Sequence, residues 1–105
     1  MTEIKLTSCD EKTELTVMGH CNAGRINGFD LCCCAVSMLT FTLLESLSKL
    51  KLDSYKGSYG GGWCYITFLN SSKMADKAKT IIDAIMDGYG LLMQSYPSNV
   101  TIIKD

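Results

Sequence analysis

The sequence of 105 residues lacks the features that would point to several common functions. It contains one histidine, so it has no His-x-x-x-His pair, and its six cysteines include no Cys-x-x-Cys pair. A zinc site built from Cys9, His20, Cys21 and the cysteines at 32–34 is therefore disfavoured, and neither a metal nor another cofactor is expected. The formal net charge is −1 and no block of lysine or arginine occurs, which disfavours direct binding to nucleic acid.

Segments that export a chain or anchor it in a membrane are also not evident. The first residues show no charged segment followed by an apolar run, so no signal peptide is expected. The longest apolar stretch, residues 31–44, is interrupted by serine and threonine. It is shorter than the roughly 20 apolar residues that cross a bilayer. We therefore expect a cytoplasmic protein with no membrane partner, whose cysteines are free thiols in a reducing compartment.

What the sequence does contain is a series of short strands and two long apolar helices. Alternating and β-branched residues predict strands at 2–8, 13–19, 63–69 and 100–103, with a short edge strand and a flexible turn within 52–62. Apolar residues at helical spacing predict helices from 31 to about 50 and from 71 to just before Pro97. The order β-β-α-β-β-α-β predicts one α+β domain over residues 1–105. Its two helices should pack on one face of a mainly antiparallel sheet, giving two layers.

The chemistry-bearing residues lie around the loop at residues 20–29. Gly19 and His20 close the second predicted strand, and three adjacent cysteines open the first helix after Asp30, which is a good N-cap residue. A helix N-terminus favours a thiolate, and a nearby imidazole can hold the proton and later return it to a leaving amine. The amides of the first helical turn also offer an oxyanion hole. The arrangement therefore predicts a cysteine–histidine hydrolase.

Helix geometry favours the middle cysteine as the nucleophile without fixing the rotation of the helix. Cys32 lies on the apolar stripe that continues through Val36, whereas Cys33 shares a more mixed face with Ser37. Cys34 shares its face with apolar residues. A purely structural interpretation exists beside the catalytic one, since free cysteines behave as small apolar core residues. That interpretation is expected to hold for Cys32, Cys64 and Cys34. Asp30 could be only an N-cap, and Ser37 could simply bond a helical carbonyl.

The pattern Gly19-His20, then Gly28-x-Asp30-x-x-Cys33-x-Ala35-x-Ser37, resembles the ribosomal-processing cysteine protease family Prp. The glycine-rich turn and aromatic strand at 60–65 are also similar. The resemblance implies that His20 and Cys33 are the catalytic dyad, with Gly19, Asp30 and Ser37 as supporting residues. It further implies a mobile loop over the nucleophile, for which Gly24 and Gly28 are plausible hinges.

The same resemblance implies a function and its partners. Members of the family remove a short N-terminal extension from a large-subunit ribosomal protein during ribosome assembly, and they act as homodimers. This chain departs from the family pattern in a slightly longer interval between His20 and Cys33. Cys21, Cys32 and Cys34 stand where small or aliphatic residues are more usual. The alternative is a non-catalytic ribosome-assembly module that binds a peptide or rRNA through the same loop.

Overall fold

The protein, described over all 105 residues by a computed structural model, is a five-stranded sheet with two helices. Its elements follow the order β-β-α-β-β-α-β, which confirms the predicted two-layer α+β class. Their bounds are β1 Thr2–Ser8, β2 Lys12–Met18, α1 Leu31–Ser48, β3 Lys56–Gly60, β4 Trp63–Leu69, α2 Ala75–Ser95 and β5 Val100–Lys104.

The sheet has the strand order β3-β4-β2-β1-β5. β1 and β5 are parallel, and the other three pairs are antiparallel. Parallel strands need a crossover connection. Here α1 connects the parallel strands β2 and β3, and α2 connects the parallel strands β4 and β5. As a result, the ends of β1, β2, β4 and β5 that bear Thr2, Met18, Trp63 and Val100 lie along one edge of the molecule.

One face of the sheet is buried beneath both helices. Along each inner strand every second residue points to the core, as a half-buried sheet requires. Leu15, for example, is 1% exposed and pairs with Leu6 on one side and Ile66 on the other. The buried residues of α1 are Cys32, Val36, Thr40, Leu43 and Leu47, and those of α2 are Ala75, Ala78, Ile82, Ile85, Met86 and Tyr89. The two helices meet at a buried hydrogen bond of 2.7 Å between Thr40 Oγ1 and the Tyr89 hydroxyl.

The start of α2 differs from the sequence prediction. The helix begins at Ala75 and its N-cap position makes no side-chain capping bond, whereas Ser71 was the predicted start. The reason lies in Ser72, whose hydroxyl donates to the Leu69 carbonyl at 2.6 Å and accepts from the Asp53 amide at 2.8 Å. Ser72 therefore ties the chain after β4 to the segment before β3 instead of capping the helix.

By length and composition alone, α1 would qualify as a membrane-crossing helix. It has 18 residues and a mean hydropathy of 1.7. The helix extends beyond the apolar stretch at residues 31–44, which was too short to cross a bilayer. A core helix of a globular domain meets the same criterion. In this fold one side of α1 packs against the sheet and α2, with Leu43 and Leu47 fully buried.

Candidate active site

The site residues are brought together by the strand ends at one edge of the sheet. β2 ends at Met18, directly opposite Trp63 at the start of β4, and Gly60 at the end of β3 also faces Trp63. The chain leaving β2 therefore passes the turn between β3 and β4. It then crosses to the N-terminus of α1, which begins after the loop at residues 19–30.

Gly19 and Gly62 hold the main chain beside His20. The Gly19 amide donates to the Gly62 carbonyl at 2.7 Å, and the Gly19 carbonyl accepts from Thr2 Oγ1 at 3.2 Å. Gly19 has a φ of +91°, and a Cβ there would run into the main-chain oxygen of Met1. Only glycine fits this position without strain, which accounts for the glycine before His20.

Asp30 caps α1, as the sequence predicted. One carboxylate oxygen accepts from the Cys33 amide at 3.0 Å, and the other accepts from the Ala23 amide at 3.0 Å. These contacts, the Cys33 amide above all, hold the pKa of Asp30 below its ordinary value. A single side chain thus fixes both the start of the helix and the first part of the loop.

Cys33 lies at the surface between the loop and α1, with its thiol half-buried. Its Sγ accepts a hydrogen bond from the Cys21 amide at 3.3 Å, and not from His20. Burial raises the pKa of the Cys33 thiol above its ordinary value. The Cys21 amide opposes this rise, and the charge of Asp30 adds to it.

Two contacts at the start of α1 bear on the predicted chemistry in the unliganded chain. The sequence predicts a thiolate at Cys33 once His20 lies beside it. Without that contact, burial and the nearby Asp30 carboxylate favour the neutral thiol. Of the first-turn amides that the sequence predicts as an oxyanion hole, that of Cys33 is bound to Asp30. The amide nearest to the sulfur comes instead from Cys21 in the preceding loop.

His20 and Cys33 line the same cavity, although no hydrogen bond joins them. The cavity has a volume of about 140 Å³ and lies between α1 and the ends of β2 and β4. Its walls include Ser37 and the aromatic side chains of Phe41, Tyr59 and Trp63. The Ser37 side chain makes no hydrogen bond within the chain, which is unlike Thr40 and Thr42 on the same helix.

A wider cleft of about 660 Å³ lies on the loop side of the same two residues. Its lining includes the polar side chains of Asn22, Arg25 and Asp30, so we call it the polar cleft. His20 and Cys33 belong to both spaces, so they stand at the border between an aromatic cavity and a polar cleft.

Gly24 and Gly28 occupy different settings in the loop. Gly24 has a φ of +93° and free space around it. Gly28, with a φ of +85°, follows Asn27, with a φ of +54°, in a two-residue turn closed by the bridge between Ile26 and Phe29. Positive φ at both central residues is the geometry of a type I′ hairpin turn. Motion of this loop remains a prediction, and Gly28 has a local role in the turn.

The six cysteines are all free and differ widely in exposure. Cys32 and Cys64 are buried, as predicted, but Cys34 is exposed, so its assignment to the core was wrong. The rotation of α1 turns the Cys34 face outward, and Met38 on that face is 67% exposed. Cys21, 1% exposed, is a core residue that sequence analysis did not identify. No group of three or more His, Cys, Asp or Glu side chains is arranged to hold a metal ion.

Thr2 and Asn99 also touch the site, and sequence analysis missed both. Thr2 Oγ1 lies 3.2 Å from Cys21 Sγ, and Asn99 Nδ2 donates to the Cys21 carbonyl at 2.9 Å. Thr2 is the first residue of β1, and Asn99 directly precedes β5. The parallel pairing of these two strands brings both residues beside the loop. No local pattern in the sequence carries this information.

Comparison with known proteins identifies the family. The family model described as cysteine protease Prp matches residues 1–101. A structure of the essential ribosomal processing protease Prp from Staphylococcus aureus with a covalently linked product peptide superposes with a TM-score of 0.83 at 20% identity, covering 100% of both chains. The same protease with a substrate peptide gives a TM-score of 0.78 at 18% identity, again covering 100% of both chains.

A structure of a Streptococcus mutans protein is more similar in sequence, at 28% identity with a TM-score of 0.66, and covers 100% of this chain and 96% of that chain. No curated protein matches the sequence significantly. The family match extends over nearly the whole chain, and the topology agrees with it. The chain therefore belongs to the cysteine protease Prp family.

Proposed function

We propose that this cysteine protease removes the N-terminal extension of a large-subunit ribosomal protein, with Cys33 as nucleophile and His20 as its acid–base partner. The observation that carries the proposal is that the only imidazole of the chain and a half-buried thiol at a helix N-terminus line one cavity. The related Staphylococcus aureus protease is a ribosomal processing enzyme whose structures hold substrate and product peptides.

The mechanism starts from a neutral thiol. Because burial keeps the proton on Cys33, attack requires that His20 approach Sγ and take this proton as the peptide binds. The sulfur then bonds to the scissile carbonyl carbon, and the electron pair of the C=O bond moves onto oxygen. Collapse of this intermediate breaks the C–N bond, and the imidazolium gives its proton to the leaving amine. Water, deprotonated by His20, hydrolyses the thioester and restores the thiol.

The two spaces beside the dyad suggest how a peptide lies. The aromatic cavity has room for an apolar side chain on one side of the scissile bond, since Phe41, Tyr59 and Trp63 form its wall. The polar cleft beneath the loop would hold the chain on the other side. Asp30 supports the loop through the Ala23 amide, and Ser37 presents a free hydroxyl to the cavity.

We further propose that the protein acts in the cytoplasm as a homodimer. Large apolar side chains are exposed on both helices, including Met38 at 67% and Leu91 at 65%. Such side chains are candidates for contact with a second copy. Sedimentation equilibrium at micromolar concentration distinguishes a dimer from a monomer.

Cleavage of a synthetic peptide that spans the extension junction tests the proposed function. The wild-type protein should cleave it at one bond, and Cys33→Ala and His20→Ala should each abolish cleavage. Cys34→Ala should retain most of the activity because Cys34 lines the wider cleft but not the cavity that His20 and Cys33 share with the aromatic side chains. Binding of the peptide without cleavage by the wild-type protein would contradict the proposal, as would a loss at Cys34 equal to that at Cys33.

A further inference from the structure

The segment 21–23 is held by hydrogen bonds from four different parts of the fold. The Cys21 amide donates to Cys33 Sγ, and the Ala23 amide donates to Asp30. The carbonyls of Cys21 and Asn22 both accept from Asn99 Nδ2, at 2.9 and 3.3 Å. The thiol of Cys21 lies 3.2 Å from the Thr2 hydroxyl. Tertiary contacts therefore fix the orientation of the Cys21 and Ala23 amides and of the Cys21 and Asn22 carbonyls.

Asn99 is itself fixed by the sheet. Its carbonyl accepts from the Thr2 amide at 2.8 Å, which joins the start of β5 to the start of β1. Its amide donates to the Tyr96 carbonyl at 3.0 Å, in the turn that follows α2. The side-chain amide of Asn99 thus projects from a rigid element toward the loop. Asn22 has a φ of +53°, in the left-handed region that asparagine adopts more readily than most other non-glycine residues.

We propose that Asn99 is a positioning residue, which holds the Cys21 amide against Cys33 Sγ so that this amide stabilises negative charge on the sulfur. The inference rests on the proposed role of Cys33 as nucleophile. Asn99 acts through the main chain and does not touch the reacting atoms. An amide donor directed at a thiolate gives a charge-assisted hydrogen bond, which is stronger than the bond to the neutral thiol.

The position of this donor matters because it is the main-chain amide that donates to the sulfur in the unliganded chain. The Cys33 amide is bound to Asp30, whose negative charge disfavours a thiolate. The thiols of Cys21 and Cys32 also lie close to Cys33, and His20 lines the same cavity.

The remaining ionisable side chains that line the two spaces beside Cys33 are Tyr59 of β3, Cys64 of β4, Arg25 of the loop and Cys34 of α1. A change at residue 99 to alanine leaves all of these groups in place. It removes only the contacts that fix the Cys21 and Asn22 carbonyls.

The ionisation of Cys33 can be followed by the rate of alkylation with iodoacetamide as a function of pH. The background protein carries Cys9→Ser and Cys34→Ser, because those two thiols are exposed and would otherwise react. In this background we expect Asn99→Ala to move the Cys33 profile to higher pH and to slow alkylation about fivefold to tenfold near pH 8. Asn99→Asp should slow it further, because a carboxylate repels the two carbonyls.

Ser98→Ala is the matched control, since Ser98 is adjacent and exposed and its side chain makes no hydrogen bond within the chain. It should leave the pH profile of Cys33 unchanged. A profile of Asn99→Ala that superimposes on the background profile would overturn the proposal. A merely structural role of Asn99 would lower thermal stability without moving this profile.

A second measurement covers the case in which the Asn99 variants do not fold. In the wild-type protein labelled with ¹⁵N, the Cys21 amide proton should move downfield with the same midpoint as the alkylation of Cys33. This response should vanish in Cys33→Ala. An amide of Cys21 that does not respond to pH would refute the contact. Neither readout requires peptide cleavage, so an inactive protein with a shifted profile would contradict the proposed function and leave the role of Asn99 intact.

Discussion

The ring of His20 rests against Gly62, so closely that a Cβ at residue 62 would lie 2.8 Å from Nε2. The same glycine accepts a hydrogen bond from the Gly19 amide and has a φ of +80°. The turn between β3 and β4 therefore fixes the histidine in two ways, by holding its main chain and by leaving room for its ring. Any side chain at position 62 would move the ring or the turn.

Gly62→Ala is expected to lower both activity and stability. The methyl group would force the imidazole away from its present position, and the positive φ would cost about 1–2 kcal/mol in addition. We expect kcat for the junction peptide to fall by at least an order of magnitude, because the methyl group would occupy the space beside the ring and hinder its approach to Cys33 Sγ. Thermal unfolding and peptide cleavage measure the two effects separately.

Gly61→Ala is the control for this prediction. Gly61 lies in the same turn, but nothing comes within 4 Å of an added Cβ, and its φ is not positive. Its substitution should leave both quantities near the wild-type values. If Gly61→Ala and Gly62→Ala lose activity equally, the loss comes from a disturbance of the whole turn. The contact between residue 62 and the His20 ring would then not explain it.

Asp30→Asn should make Cys33 easier to ionise. The charge of Asp30 raises the pKa of the Cys33 thiol, so its removal lowers this pKa and moves the alkylation profile to lower pH. The direction is opposite to that expected for Asn99→Ala. One of the two amide contacts of the carboxylate is also lost, because asparagine has a single side-chain oxygen. A shift to higher pH in Asp30→Asn would show that the lost contacts outweigh the lost charge.

Asp30 also links stability to acid. Its pKa is lower in the folded chain than the ordinary value of 3.8, so its contribution to stability is complete above that value. The contribution is lost as the pH falls through the folded pKa and the carboxyl takes up a proton. Asp30→Asn removes this source of acid sensitivity. The thermal midpoint of the variant should therefore fall less steeply below pH 4 than that of the wild-type protein.

Local patterns were sufficient to predict most of the fold. Alternation gives β1, β2 and β4, helical spacing gives the two helices, and Asp30 before an apolar run marks the N-terminus of α1. The start of α2 was misplaced because the hydroxyl of Ser72 bonds Asp53, a contact between residues 19 apart. Such a contact competes with helix capping, and the residues next to Ser72 in the sequence do not indicate it.

The structure brings several of the predicted site residues together, but their electrostatics could not be predicted from the sequence. Gly19, His20 and Cys33 come together as the motif implies, at the end of β2 and the start of α1. The ionisation state of Cys33 depends on burial and on the direction of the Asp30 carboxylate, neither of which is a sequence pattern. Asn99 reaches Cys21 from 78 positions away through the parallel pairing of β1 and β5.

The six thiols should react in three classes in the unliganded protein. Cys9 and Cys34 are exposed and should be alkylated first, and Cys33 should follow because it is half-buried with a raised pKa. Cys21, Cys32 and Cys64 are buried and should react only on unfolding. Peptide mapping after timed treatment with iodoacetamide at pH 7 gives this order. Fastest labelling at Cys33 below pH 7 would show that the unliganded chain already holds a thiolate.

Cys64 should make the protein sensitive to alkali. Burial raises the pKa of this thiol from 9.0 to about 11. Since the folded state holds the proton more tightly than the unfolded state, the contribution to stability is complete below pH 9.0 and is lost as the pH rises toward about 11. The thermal midpoint should therefore decline between these values.

Two variants isolate the contribution of Cys64. Cys64→Val keeps an apolar side chain in the core and has no proton to lose, so its midpoint should decline less steeply over the same range. Cys9→Ala, at an exposed thiol, should follow the wild-type curve. Parallel curves for Cys64→Val and the wild-type protein would assign the alkaline loss to other groups, of which Tyr89 is the first, because burial raises its pKa to about 12.

The aromatic wall of the cavity depends on an edge-to-face contact between α1 and β3. The rings of Phe41 and Tyr59 are 5.1 Å apart at their centroids and inclined by 76°. Such a pair is worth about 0.5–1.5 kcal/mol beyond the area it buries. Phe41→Leu should cost an amount in this range and should raise KM for the junction peptide with little change in kcat, because the wall contacts bound peptide and not the reacting atoms. Met38→Leu, which keeps an apolar side chain of similar size at an exposed position of the same helix, should change neither quantity. A fall in kcat at constant KM for Phe41→Leu would mean that this ring positions the dyad itself.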